Sequence, residues 1–154
     1  MKRALIGLAF ILVGLFLPQI QERIPDILVK PEPSTPVIQI AEPNQKVIEK
    51  VSSVAALVTD DMDRVRLAIF NDIFSKRILD YNADSQQIND VYTEAARNIF
   101  GNSMKGKYEG YAAGITALFI DVLGTQNHQL SEVEKSQLSA YFRGLAWCLI
   151  NQEK

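Results

Sequence analysis

Every proline in this chain lies at or before position 43: Pro18, Pro25, Pro31, Pro33, Pro36 and Pro43 account for all six. Proline fixes φ at about −65° and carries no N–H, so it interrupts helix interiors and strand ladders alike. From Asn44 to Lys154 nothing interrupts the backbone in that way, and apolar residues recur there at helical spacing. No segment of comparable length alternates with period two. The expected fold class is therefore all-α. It comprises a single N-terminal transmembrane helix (1–20), a proline-rich extended linker (21–44) and a small bundle of about five helices (45–154).

The proline-free part divides at recognisable caps. Val47, Val51, Val54 and Val58 form a stripe on a first helix, with Asn44 as its N-cap. A second helix is predicted from about Met62 to Tyr81, with Val65, Ile69, Phe70, Ile73, Phe74 and Ile78 inward. Asp60, Asp61 and Asp63 sit at its start, where carboxylates complement the helix dipole. A third spans about Ser85 to Phe100, with Ile88, Val91, Tyr92, Ala95, Ala96 and Ile99 on one side, and Gly101 supplies its stop. The fourth, "KYEGYAAGITALFIDVLG", is the most apolar and is expected to be central, ending at Gly124. The fifth opens with a capping box, Ser131 with Glu134, and carries Leu138, Tyr141, Phe142, Leu145 and Leu149 inward.

The first residues decide where the chain works. Lys2 and Arg3 precede an unbroken apolar run from Ala4 to Leu17. That pattern serves cleavable signals and membrane anchors alike, but no pair of small residues forms a cleavage site after the run. The run is shorter than the about 20 residues of a typical span. With Lys2, Arg3 and Gln19 reaching the interfaces, it can cross a thin bilayer. Gly7 and Gly14 share one face of it. The expectation is an uncleaved signal-anchor in the inner membrane, single-pass, N-terminus cytoplasmic and C-terminal domain periplasmic, because positive charge stays inside. A cleaved leader is the competing reading, and a buried soluble helix a third. The linker "PDILVKPEPSTPVIQIAEP" suits extended polyproline-like chain. Its "VIQIA" would either add to a partner's sheet edge or lie on the chain's own domain, the second being preferred.

The formal net charge is −2, which leaves no basic stripe for phosphates and argues against nucleic acid as a partner. The single cysteine, Cys148, cannot form an internal disulfide. With Trp147 it reads as core. "DDMD" at 60–63 lacks the glycine and glutamate spacing of a calcium loop. His128, the only histidine, reads as an exposed loop residue, so no zinc site or serine triad is expected. No Lys-Ser/Thr follows the glycines of "GKYEGYAAG" and no strand precedes them, which argues against a phosphate-binding loop. No metal, cofactor or catalytic residue is expected.

Gly106, Gly110 and Gly114 recur every four residues, which on one helix makes a smooth ridge. Tight packing inside the domain is the leading explanation for it. A docking strip for a protein partner, with Tyr108 and Tyr111 alongside, is the functional one; Met104, Tyr108 and Tyr111 read first as core edge and second as an exposed recognition patch. Paired carboxylates are the remaining chemistry. Glu109 and Asp121 lie about 18 Å apart on one helix, too far to cooperate, and Glu94 with Glu109 depends on the fold. The expected function is non-enzymatic: an exported, anchored helical head that engages an envelope or phage lysis/exclusion protein, or its own copy. The alternative is a membrane-tethered peptidoglycan hydrolase. A subunit of a larger membrane complex, joined through the N-terminal helix, is a third reading.

Overall fold

The computed structural model describes residues 39–152, apart from the side chains of Asn102 and Ser103. Ile40–Lys154 forms one compact unit. The expected anchor and most of the expected linker lie outside the described residues. Among the described residues no helix is long and apolar enough to cross a membrane.

The described chain is all-helical. In order come α1 (Gln45–Ala56), α2 (Asp61–Arg77), a 3-10 turn (Ile78–Asp80), α3 (Ser85–Phe100), α4 (Asn102–Lys107), α5 (Glu109–Leu123) and α6 (Glu132–Asn151). A lone antiparallel bridge joins Asp84 to Gln129.

The caps explain the boundaries. Asn44 accepts the Val47 N–H through its side chain, and Asp60 accepts that of Asp63. Two reciprocal capping boxes start α3 (Asp84 with Gln87) and α6 (Ser131 with Glu134). Gly101 and Gly124 end α3 and α5 at positive φ, 58° and 71°, where a side chain would be strained. The valine stripe of α1 is buried as expected.

Two expectations about helix faces are corrected. The inward stripe of α2 is Arg64, Leu67, Ala68, Asn71, Phe74, Ser75 and then Ile78, while Val65 is 43% exposed and Ile69, Phe70 and Ile73 are half-buried. Three polar residues on that stripe disguise it. The central helix is α6, not the more apolar α5. Nine of its residues are buried, among them Gly144, Leu145, Ala146 and Cys148. Much of α5's hydropathy belongs to small outward residues such as Ala112, Ala113 and Ala117, and to Ile120, which is 47% exposed.

The middle of the core is aromatic. Phe74 (α2), Tyr92 (α3), Phe119 (α5) and Phe142 (α6) meet with centroids from 4.9 to 6.5 Å apart, mostly edge-on. Each such pair adds about 0.5–1.5 kcal/mol beyond its buried area. At the far end α1 lies in a trough made by small residues. A Cβ on Gly144 of α6 would collide with Val47, and one on Gly114 of α5 would sit 2.9 Å from Val54. Lys50 with Asp121, Val54 with Gly114 and Leu57 with Gly110 meet in reverse order, so α1 runs antiparallel to α5.

Candidate functional site

The glycine ridge is broken. Tyr108 ends α4 and begins α5 with φ −124° and ψ 38°, leaving Gly106 on one helix and Gly110 and Gly114 on the next. The break is held by side-chain chemistry: the Tyr108 ring is buried and its hydroxyl donates to Asp63 Oδ2 at 2.7 Å. Burial, then the bond to that carboxylate, raises the Tyr108 pKa. A Cβ on Gly106 would meet nothing within 4 Å, whereas Gly110 faces the Leu57 methyls at 3.5 Å. Of the three, Gly114 alone serves the tight internal packing expected of the ridge.

Tyr111 is also not at the surface. It is fully buried in a closed polar triangle with Asn71 and Tyr92. Tyr92 donates to Asn71 Oδ1 at 3.0 Å, and Asn71 Nδ2 donates to Tyr111 at 3.0 Å and to the Leu67 carbonyl at 2.7 Å. The two hydroxyls lie 2.9 Å apart. With Tyr92's proton committed to Asn71, Tyr111 supplies the proton between them, and every member is satisfied. Burial pushes Tyr111 up to about 12 and raises Tyr92 as well. Met104, too, is a core residue. Tyr108, Tyr111 and Met104 are therefore interior, which agrees with the core-edge reading and leaves no exposed patch of the three.

What the surface does offer is a groove between α3 and α5. Its larger part, about 370 Å³, is walled by Ser85, Gln86 and Asn89 on one side and by Thr116 and Ile120 on the other, over Phe119. A smaller extension of about 120 Å³ adjoins it at Thr116 and reaches Ala96 and Ala112 over Tyr92 and Tyr111. No lining residue of either part is charged. The groove exists because small residues, Ala96, Ala112 and Thr116, face one another where larger ones would interlock.

The candidate carboxylates are not gathered in the groove. Glu94 is exposed and lines a shallow depression with Asp90 and Arg97, and Glu109 is exposed at the start of α5. Neither lines the α3/α5 groove. Asp121 accepts from Tyr141 at 2.9 Å and Lys50 at 3.3 Å. Those two bonds, Tyr141's first, lower its pKa, the reverse of what a general acid needs. Among the described residues no cluster of three His, Cys, Asp or Glu is placed to hold a metal. Cys148 is buried, and burial lifts its thiol to about 11, so it is no thiolate nucleophile.

Two features were not anticipated from sequence. Arg64, 4% exposed, gives all five guanidinium N–H donors to backbone carbonyls. Nε reaches Leu149, Nη1 reaches Ala55 and Val58, and Nη2 reaches Cys148 and Gln152, at 2.7–3.0 Å. It thus ties the C-terminal ends of α1 and α6 together, where both helix dipoles favour a cation. His128 is not idle either, since both ring nitrogens are engaged.

No protein-family model matches the sequence, and no curated protein or solved structure matches it.

Proposed function

We propose that this chain is an anchored, exported binding module without catalytic activity. Residues 1–20 hold it in the inner membrane, N-terminus in the cytoplasm, and the proline-rich segment spaces the helical unit into the periplasm. There it engages a protein partner of the envelope, of the lysis or exclusion kind, or a second copy of itself. The observation that supports binding over chemistry is the α3/α5 groove: open, apolar at its floor, walled by hydroxyls and amides, and lined by no carboxylate, histidine or cysteine. An uncharged groove of this kind desolvates cheaply under an apolar side chain, and its amides fix the partner's register. Of the residues first singled out, Gly110 remains a contact candidate, because it is exposed beside Leu57, itself 48% exposed. Gly106 is exposed on α4, while Gly114, Tyr108 and Tyr111 act by shaping α5 and the groove floor.

The test is site-specific photocrosslinking in membranes with the full chain. A photoreactive residue at Thr116 should give one discrete adduct, identified by mass spectrometry as an envelope protein or a second copy, and one at Glu94 should not. No adduct at Thr116, or the same pattern from both sites, overturns the groove reading. Intact mass and protease accessibility of the membrane-bound chain test the anchor and its orientation. The hydrolase alternative predicts release of soluble peptidoglycan fragments, abolished by Glu94→Gln or Glu109→Gln.

A further inference from the structure

The loop between α5 and α6 closes one end of the groove. Gly124, Thr125 and Asn127 line that end together with Ser85 and Gln86 of α3. The loop is laced to the start of α3: the Ser85 N–H donates to the His128 carbonyl at 2.8 Å, and the His128 N–H to Ser85 Oγ at 3.1 Å. Asn127 Oδ1 accepts from the Gln86 N–H at 3.0 Å, and Leu130 N–H donates to the Ala83 carbonyl. His128 sits in the middle of this lacing.

Its ring faces oxygen on both sides. Nδ1 lies 2.9 Å from the Gln126 carbonyl, and Nε2 lies 2.7 Å from Glu134 Oε1. A carbonyl and a carboxylate only accept, and a neutral imidazole has one N–H to give, so one of the two contacts would set lone pair against lone pair. The imidazolium satisfies both. Glu134 is suited to the task because its other oxygen already takes the Ser131 N–H at 2.8 Å in the capping box of α6. The ring therefore joins the loop to the first turn of α6, while the loop's backbone joins it to α3.

We propose that His128 is a protonation-dependent latch: the imidazolium ties the 124–131 loop, already laced to α3, to the first turn of α6 and keeps that end of the groove closed, and loss of the proton releases the tie to α6. That freeing the loop regulates partner capture rests on the reading of the groove as the contact surface; the latch itself does not. Glu134 is the charged side chain that meets the ring from α6. Its neighbours there, Glu132 and Lys135, pair with each other at 3.0 Å, and on α3 the Asp84 carboxylate is taken by the Gln87 N–H. The bond to the Gln126 carbonyl first, then Glu134, raises the His128 pKa above 6.5. The stabilisation is thus fully present below about pH 6.5 and is lost as pH rises through the raised folded value.

Hydrogen exchange by mass spectrometry on the full chain in detergent micelles tests this, with rates corrected for intrinsic pH dependence. Protection of the 124–131 peptide should fall several-fold between pH 6 and pH 8.5, while the α2 and α6 interiors stay constant. His128→Gln should be insensitive to pH in that window and as open as the wild type at pH 8.5. Glu134→Gln, which preserves the capping-box geometry without the anion, should weaken the response. Equal protection at both pH values, or a fall that persists in His128→Gln, overturns the latch. Crosslinking from Thr116 at the two pH values is a separate readout: a working latch with no adduct at either pH sinks the groove and not the latch.

Discussion

Arg64→Met removes the hub of the α1–α6 junction while keeping most of the buried length of the side chain. Five hydrogen bonds from a charged donor disappear. They do not all cost the same. The Ala55 carbonyl also accepts from the Val58 N–H, and the Cys148 carbonyl from Gln152, so those two keep a partner. Of the other three, the Val58 and Leu149 carbonyls are buried and lose the donor shown for them, while that of Gln152 is only part-buried. A buried carbonyl left without one costs about 1–3 kcal/mol. Two of them give about 2–6 kcal/mol, from which relief of the guanidinium's own desolvation subtracts. The expected net loss is about 3 kcal/mol, a large fraction of the roughly 5–15 kcal/mol that holds a domain folded. Arg64→Lys retains the charge with three donors on one nitrogen, which cannot span both helix ends, so it should lose about 2 kcal/mol. Urea unfolding followed by Trp147 emission reads this directly, because Trp147 lies on α6 beside Cys148. A loss below about 1 kcal/mol for Arg64→Met would mean that water replaces the guanidinium at all five carbonyls, and the clamp would then be no determinant of stability.

The glycines should separate by position in the same assay. Gly144→Ala should cost about 1–3 kcal/mol against stiff Val47 and be rescued by Val47→Ala, Gly114→Ala should cost less, and Gly106→Ala should be neutral or gain up to about 1 kcal/mol. Tyr111→Phe opens the Asn71–Tyr92–Tyr111 triangle and should cost about 1–3 kcal/mol, with a double-mutant cycle to Tyr92→Phe showing coupling above about 0.5 kcal/mol. Acid should weaken the unit through Glu134 and Asp121. Both have lowered folded values, Glu134 chiefly by the Ser131 N–H and then His128, and Asp121 chiefly by Tyr141 and then Lys50. Their contribution is present above the ordinary carboxylate range and fades as pH falls through the folded values, so the thermal midpoint should drop there, less steeply in Asp121→Asn.

The parts of this fold that a reader could take from sequence are those set by local chemistry. Asn44, Ser131 with Glu134, Gly101 and Gly124 act within a turn of themselves, and each does in the structure what its residue type implies. The valine stripe of α1 was legible because its face is purely apolar. The face of α2 was not, because Arg64, Asn71 and Ser75 occupy it. The burial of Arg64 and Asn71 is repaid by partners as far away as Leu149 and Tyr111, which no window of neighbouring residues reveals, whereas the Ser75 hydroxyl donates to the nearby Asp72 carbonyl. Asn71 also settles which reading of Tyr111 holds: a tyrosine beside alanines and glycine reads as core edge or as surface until its hydroxyl has an interior partner. The groove was invisible for the opposite reason. Serines, asparagines, threonines and alanines spread over two helices and a loop carry no signal singly, and it is their meeting across α3 and α5 that makes a cavity.

The glycines change meaning once the trough of α1 is recognised. On a partner-binding ridge a glycine is smooth toward the outside, yet Gly114 and Gly144 face inward and admit Val54 and Val47. Both valines belong to the helix that directly follows the proline-rich segment, and the Val47 neighbourhood includes Pro43, whose Cβ lies 3.6 Å from where a Gly144 Cβ would stand. Ile40 is likewise half-buried against the core, so the end of the proline-rich segment already lies on the bundle. If the chain is tethered at its N-terminus, any pull arrives first at α1. It meets there two close helix crossings and, at the far end of α1, two bonds from the Arg64 guanidinium, and these must yield before the aromatic core is strained. A tethered head needs the helix next to its tether fixed more firmly than the surface it offers to a partner. In this chain the tight contacts are at α1, and the open, loosely packed seam is between α3 and α5.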